Sequence, residues 1–164
     1  MEHKSFEGMS CPVALALEQV GEWWSILILR DATHGMTRFE QFQKSLGISP
    51  NSLSRRLGAL VEAGLLERRR YNERPPRDEY VLTEAGHAFR PVLIALYAWG
   101  SSYFPPEAPN VRLVDKESGI DVDPMLIDRL TGRPLDDEHS MFLPGPAADD
   151  RLRAALEGRS RLVS

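Results

Sequence analysis

The stretch Ile48-Ser49-Pro50-Asn51-Ser52-Leu53-Ser54-Arg55-Arg56-Leu57-Gly58-Ala59-Leu60-Val61-Glu62-Ala63-Gly64 decides the fold. Ser49 is a residue that caps a helix, and Pro50 suits the first helical position because its missing N–H is not needed there. Leu53, Leu57, Leu60 and Val61 then recur at helical spacing and make one stripe for burial. Gly64 supplies the stop. Asn51, Ser52, Ser54, Arg55 and Ala59 are left to fall on other faces. The predicted element is therefore a helix that packs on one side and offers short polar groups and arginine on another.

Working outward, a second short helix precedes it. Thr37 and Glu40 have capping-box spacing, Phe39, Phe42 and Leu46 face inward, and Gly47 makes a tight turn into the next helix. Downstream, Leu65 to Tyr71 and Glu79 to Leu82 read as two short strands, with a stiff arginine-bearing loop over 72–78. Towards the N-terminus, Pro12 opens a helix with Cys11 at its N-cap; Val13, Leu17 and Val20 recur along it and Gly21 closes it. Trp23-Trp24-Ser25-Ile26-Leu27-Ile28-Leu29 is apolar nearly all round, as a helix at the centre of a core should be, and it stops near His34-Gly35. Thr83 caps a long helix to about Phe104, with a kink expected at Pro91. That helix has two apolar stripes, Phe89, Leu93, Tyr97 and Gly100 on one side and Val92, Leu96, Trp99 and Tyr103 on another. One serves the domain's own core. The other needs a partner, most simply a second copy of the chain.

The fold class expected is mainly α with a small β-wing: a helix-turn-helix domain over 1–104, a proline-rich linker over 105–110 and a small appendage over 111–164. In the appendage, Val111-Arg112-Leu113-Val114 and Met125-Leu126-Ile127 are strand candidates and Asp149 to Glu157 a last helix. The length of 164 residues allows one good core with such an addition. The opening Met1-Glu2-His3-Lys4-Ser5 lacks the apolar run of a signal peptide, and the longest apolar run, Val92 to Trp99, is too short for a membrane span. A cytoplasmic protein is expected. One cysteine excludes a disulfide framework, and four scattered histidines argue against a structural zinc site, so no metal or cofactor is expected.

The net charge of −4 is unlike a nucleic-acid binder until it is divided by position. Residues 1–104 carry 12 basic and 12 acidic side chains, and 105–164 carry 8 and 12. Within 51–77 there are seven arginines (Arg55, Arg56, Arg68, Arg69, Arg70, Arg74 and Arg77) against Glu62, Glu67 and Glu73, a local +4. The second helix is the one that fits a DNA major groove. Ser49, Asn51, Ser52 and Ser54 can reach base edges or phosphate, and Arg55 and Arg56 can each pair with guanine or hold phosphate; the sequence leaves both open. Arg68, Arg70, Arg74 and Arg77 on the wing are placed for the flanking backbone or minor groove. Trp23, Trp24, Phe39 and Tyr97 are candidates for an aromatic ligand pocket, or for plain core.

Gly21-Glu22-Trp23-Trp24-Ser25-Ile26-Leu27-Ile28-Leu29-Arg30, Arg38-Phe39, Ile48 to Leu57, Leu60 to Leu66, Tyr71 to Tyr80 and Leu82-Thr83-Glu84-Ala85-Gly86 together resemble the HxlR-type (MarR-like) winged helix-turn-helix regulators, in order, from about Ser10 to Phe104. The resemblance implies a homodimeric bacterial transcriptional regulator, usually a repressor, binding double-stranded DNA at an inverted repeat, with Arg38 added to the DNA contacts and Val92, Leu96, Trp99 and Tyr103 in the dimer interface. It also implies a role for Cys11, since some members sense oxidants or electrophiles with a cysteine just before a proline, and a helix start favours the thiolate. Longer members carry a zinc-ribbon-like extension with C-x-x-C-G knuckles. Asp128 to Leu135 resembles such a knuckle with Asp128 and Thr131 in the cysteine places, and Ser118-Gly119 is similar, so a metal-free knuckle is expected there, the alternative being a loosely ordered acidic tail. An enzyme is not expected: the chain has no P-loop, no dinucleotide fingerprint, no G-x-S-x-G elbow and no HExxH site. The alternative is a winged-helix module that binds protein rather than DNA.

Overall fold

In the computed structural model, which describes residues 5, 6 and 8–160, Pro50–Glu62 forms helix α4, with Ser49 Oγ accepting from Ser52 N at 3.3 Å. It follows α1 (Pro12–Val20), α2 (Trp23–Thr33) and α3 (Phe39–Leu46). Gly47 joins α3 to α4 in the left-handed conformation, φ 63°, which the tight turn requires. Ile28 and Leu29 of α2, Phe42 of α3, and Leu53, Leu57 and Leu60 of α4 are fully buried against one another. Each such side chain contributes roughly 1.5–3 kcal/mol by leaving water. This three-helix core fixes where the outer face of α4 points.

Several local expectations are corrected. The α3 cap is not Thr37 with Glu40. The side chain of Gln41 accepts from the backbone N–H of Thr37 at 3.0 Å and of Arg38 at 2.9 Å, so the helix starts at Phe39. The reason is tertiary: Thr37 is held extended, its carbonyl accepting from Tyr80 N at 2.7 Å, and Arg38 bridges Glu79. Trp23 is not core. It is the first residue of α2, at the open end of the helix, and is 73% exposed; the buried residues of α2 are Ser25, Ile28, Leu29, Asp31 and Ala32. On α1 the buried residues are Ala14 and Val20, and Val13 and Leu17 stay exposed.

The strands are longer than expected. β1 (Leu66–Glu73) pairs antiparallel with β2 (Pro76–Leu82) in the register Leu66↔Leu82, Arg68↔Tyr80 and Arg70↔Asp78, with an irregularity between Arg70 and Asn72. The loop over 72–78 shrinks to a turn at Arg74 and Pro75, because oppositely charged side chains across the hairpin extend the pairing.

The helix after Thr83 is broken rather than kinked, into α5 (Glu84–Ala88) and α6 (Arg90–Tyr103). Pro91 sits in the first turn of α6 and has no N–H to continue the ladder from α5. Thr83 does cap, accepting from Gly86 N at 3.1 Å while donating to Gly64 O at 2.6 Å. No residue of α6 is fully buried; Leu93 and Tyr97 are half-buried and Val92, Leu96, Trp99 and Tyr103 are exposed.

The chain divides into two compact units between Glu107 and Ala108. In the second, the expected strands reduce to single bridges, Val114↔Asp121 and Ile127↔Pro134. Each bridge closes a turn of the same design. Asp115 accepts from Glu117 N, Ser118 N and Ser118 Oγ, and Asp128 accepts from Leu130 N, Thr131 N and Thr131 Oγ1. The glycine that follows, Gly119 or Gly132, takes a φ of 69° or 71°. These hydrogen bonds hold both carboxyls below their ordinary range, through the Ser118 N–H first in one and the Thr131 hydroxyl first in the other. Among the described residues no group of three or more His, Cys, Asp and Glu is placed to hold a metal. Helix α7 (Asp150–Ser160) completes the unit.

Candidate nucleic-acid interface

Helix α4 turns Asn51, Ser54, Arg55, Gly58 and Glu62 outward, at i, i+3, i+4, i+7 and i+11, opposite the stripe of Leu53, Leu57 and Leu60. Asn51, Ser54 and Arg55 therefore share one exposed face of the first two turns. Ser49 and Ser52 are used otherwise: Ser49 Oγ donates to Ser52 Oγ at 3.0 Å, and the two hydroxyls build the cap.

Arg56 does not share that face. Its Nη2 pairs with Glu22 Oε2 at 2.8 Å, its side chain is 18% exposed, and it lies on the flank of α4 towards the α1–α2 joint. Its Nε is buried with no hydrogen-bond partner. A cleft of about 440 Å³ adjoins it, lined by Phe6, Leu17, Glu18, Gly21, Glu22 and Arg56. None of Trp23, Trp24, Phe39 or Tyr97 lines this cleft; Trp23 and Trp24 meet edge to face at 6.5 Å, and Trp24 and Phe39 pack against the core.

On the wing the arginines fall into two groups. Arg68 donates through Nε and Nη2 to Asp78 Oδ2, and Arg70 Nε donates to Asp78 Oδ1 at 3.2 Å. Both guanidiniums hold the Asp78 carboxyl below the usual range, Arg68 foremost. Arg69, on the opposite strand face, pairs with Glu67 at 2.8 Å and lowers that carboxyl in the same way. Arg74 and Arg77, at and beside the turn, have no carboxylate partner among the described residues, and neither has Arg55. Arg38 lies with its guanidinium carbon 4.9 Å from the centre of the Tyr71 ring, a cation–π contact, and has no carboxylate partner among the described residues. Among the described residues, the arginines of 51–77 without an acidic partner are thus Arg55 on the α4 face and Arg74 and Arg77 at the wing tip, to which the α3 start adds Arg38.

Glu22, Asp78 and Tyr71 were not legible as partners in the sequence. Asp78 and Tyr71 become so once the hairpin register is known; Glu22 carries no local signal, since it meets Arg56 only through the packing of α1 and α2 on α4.

Cys11 is exposed at the N-cap of α1, and its side chain does not make the cap bond. No helix among the described residues is long and apolar enough to cross a membrane.

A two-helix turn with an outward polar second helix and a charged hairpin is a winged helix-turn-helix. Known proteins agree with this architecture. The model of the family described as HxlR-like helix-turn-helix matches residues 19–108. An uncharacterised HTH-type transcriptional regulator of Mycobacterium tuberculosis is 42% identical over 151 residues, covering 92% of this chain and 94% of the relative. The solved structure of a candidate transcription factor from Pseudomonas aeruginosa is 49% identical, covers 89% of this chain and all of that one, and superposes with a TM-score of 0.60. The redox regulator HypR, in its reduced form, is 30% identical over 56% of this chain and 92% of its own, with a TM-score of 0.53. On the family match and these relatives, with the fold to support them, the chain belongs to the HxlR-like helix-turn-helix family of transcriptional regulators.

Proposed function

We propose that this regulator binds double-stranded DNA as a homodimer, reads an inverted repeat with two copies of α4, and acts as a repressor. The observation that carries the reading is the exposed face of Asn51, Ser54 and Arg55, with Arg38, Arg74 and Arg77 also free of any carboxylate partner among the described residues. Short polar groups and an arginine on the first turns of a helix are what base edges accept in a major groove. Arg74 and Arg77 then reach the neighbouring backbone or minor groove, Arg38 holds phosphate, and the paired Arg68 and Arg70 form a rigid wing surface. In this reading Ser49 and Ser52 shape the helix start, whose N–H groups favour phosphate.

The dimer is supported by α6, where Val92, Leu96, Trp99 and Tyr103 lie on one exposed stripe. Exposed apolar side chains in line on a helix call for a partner surface. A two-fold pair of α6 helices satisfies both copies with the same contacts. The protein-interaction alternative has no use for four unpaired arginines around one helix face. The second unit, in this reading, is a metal-free pair of knuckles in which carboxylate hydrogen bonds do the bracing.

Control by oxidants or electrophiles at Cys11 is a second element of the proposal. It is favoured by the exposure of the thiol at a helix start and by the similarity to a redox regulator. With one cysteine in the chain, oxidation gives a sulfenic acid or, with a second thiol, an intersubunit or mixed disulfide, while an electrophile gives a covalent adduct. The test is fluorescence anisotropy on DNA from the gene's own upstream region, reduced and after mild oxidation, with Cys11→Ser as control. Preference over scrambled DNA that changes on oxidation only in the cysteine-bearing protein supports both parts. Binding that is equal on every sequence counts against the regulator reading and favours the protein-interaction module.

A further inference from the structure

The geometry around Arg56 points to a site that the DNA-reading proposal leaves unexplained, and the inference rests on that proposal. We propose that Glu22 is an intramolecular competitor of DNA phosphate: it holds Arg56 away from the duplex, so that removing its charge adds one phosphate contact per protomer.

Three observations carry this. The pair is one-sided. Glu22 Oε2 takes Nη2 of Arg56 at 2.8 Å, while Nε, which would share the acceptor in a two-pronged arrangement, is buried without a partner. A phosphate offers acceptors with the same spacing as a carboxylate and can satisfy both donors. The Arg56 side chain, although largely buried, also borders open space, the cleft lined by Phe6, Leu17, Glu18 and Gly21. Finally, Arg56 follows Arg55 directly on α4, so its Cα is already carried to the groove by the helix whose next-door side chain faces outward.

Glu22, in contrast, is a fixed post. It is the extended N-cap of α2, and the residue before it, Gly21, approaches α1 so closely that an added Cβ would overlap the Leu17 carbonyl. Glu18 lines the same cleft but is engaged differently: its carboxylate accepts from Ser5 Oγ at 3.1 Å and from Phe6 N at 2.8 Å. It is therefore a control for loss of one negative charge at the same place without release of Arg56.

The experiment is a salt series of anisotropy titrations with the full chain on DNA from its own upstream region, for the wild type, Glu22→Gln, Arg56→Gln, the double variant and Glu18→Gln. Each released arginine displaces about one further counterion, so Glu22→Gln should steepen the slope of log K against log salt by about 0.9 per protomer. It should tighten binding about eightfold per protomer at 0.1 M salt. The double variant should lose both changes, and Glu18→Gln should keep the wild-type slope. Arg56→Gln alone should also keep it, since Arg56 is held back in the wild type; this arm stands even where Glu22→Gln folds poorly. A wild-type slope in a folded Glu22→Gln, an equal gain without Arg56, or a slope reduced by Arg56→Gln alone would overturn the competition. A wild type with no preference for any DNA sequence overturns the DNA reading itself and this inference with it, whereas preference with an unchanged Glu22→Gln slope overturns the inference alone.

Discussion

The division of the arginines into paired and unpaired groups predicts how DNA binding responds to salt. Arg38, Arg55, Arg74 and Arg77 have no carboxylate partner among the described residues, whereas Arg56, Arg68, Arg69 and Arg70 are held by Glu22, Asp78 and Glu67. If each unpaired arginine replaces one counterion, the slope of log K against log salt is about −3.6 per protomer and about −7 for a dimer. Replacing Arg74 and Arg77 together by alanine should halve it, to about −1.8 per protomer. Arg69→Ala should leave it in place, because removing a paired charge exposes Glu67 rather than losing a phosphate contact. Asp78→Asn should act in the opposite sense and steepen the slope by freeing Arg68 and Arg70. Anisotropy titrations between about 50 and 400 mM salt, a span of roughly one decade, measure all four slopes on one duplex. A loss from Arg69→Ala of about half that of the Arg74 and Arg77 double variant would refute the reasoning, since pairing in the free protein would then not decide which charges meet DNA.

Three other outcomes follow from the packing. Gly86→Ala should destabilise the first unit by about 1–3 kcal/mol despite the better helix propensity of alanine, lowering its melting temperature by several degrees. The added Cβ would overlap the Leu65 carbonyl oxygen and come within 2.9 Å of Leu82 Cδ2, and an unchanged melting curve would contradict that close approach. Trp99→Glu, on the exposed stripe of α6, should shift the molar mass seen by light scattering from dimer to monomer; a dimer that persists places the interface elsewhere. The knuckle carboxyls of Asp115 and Asp128 are lowered from an ordinary 3.8, so they stabilise the second unit above that pH and the contribution is lost as pH falls below it through the folded-state values. Amide exchange at Ser118 and Thr131 should therefore quicken below about pH 3.8 in the wild type, and Asp128→Asn should remove that response at its own knuckle only.

The helix-turn-helix was legible because its signals are local. The cap at Ser49, the proline after it and the leucine stripe act within α4 itself, and Gly47 within its turn. What the sequence hid depends on distant packing. Thr37 fails to cap α3 because Tyr80, far along the chain, ties its carbonyl to β2. The hairpin runs further than propensity indicates because Asp78 draws in both Arg68 and Arg70, and Glu22 meets Arg56 across the joint of α1 and α2. Trp23 looked like core because composition alone does not say which end of α2 stays open. The same limit separates the seven arginines of 51–77: the sequence counts their charge, and only the fold says which of them is already neutralised.

The central claim is that the Asn51, Ser54 and Arg55 face of α4 reads base sequence. Selection of bound sequences from a random DNA pool, by the wild type and by Arg55→Ala at one salt concentration, tests it most directly. The account predicts that the wild type enriches an inverted repeat, and that Arg55→Ala relaxes one position in each half-site at a cost of about 1–3 kcal/mol if that arginine contacts a base. An identical motif from both proteins, with affinity also unchanged, or no motif from the wild type, would contradict it.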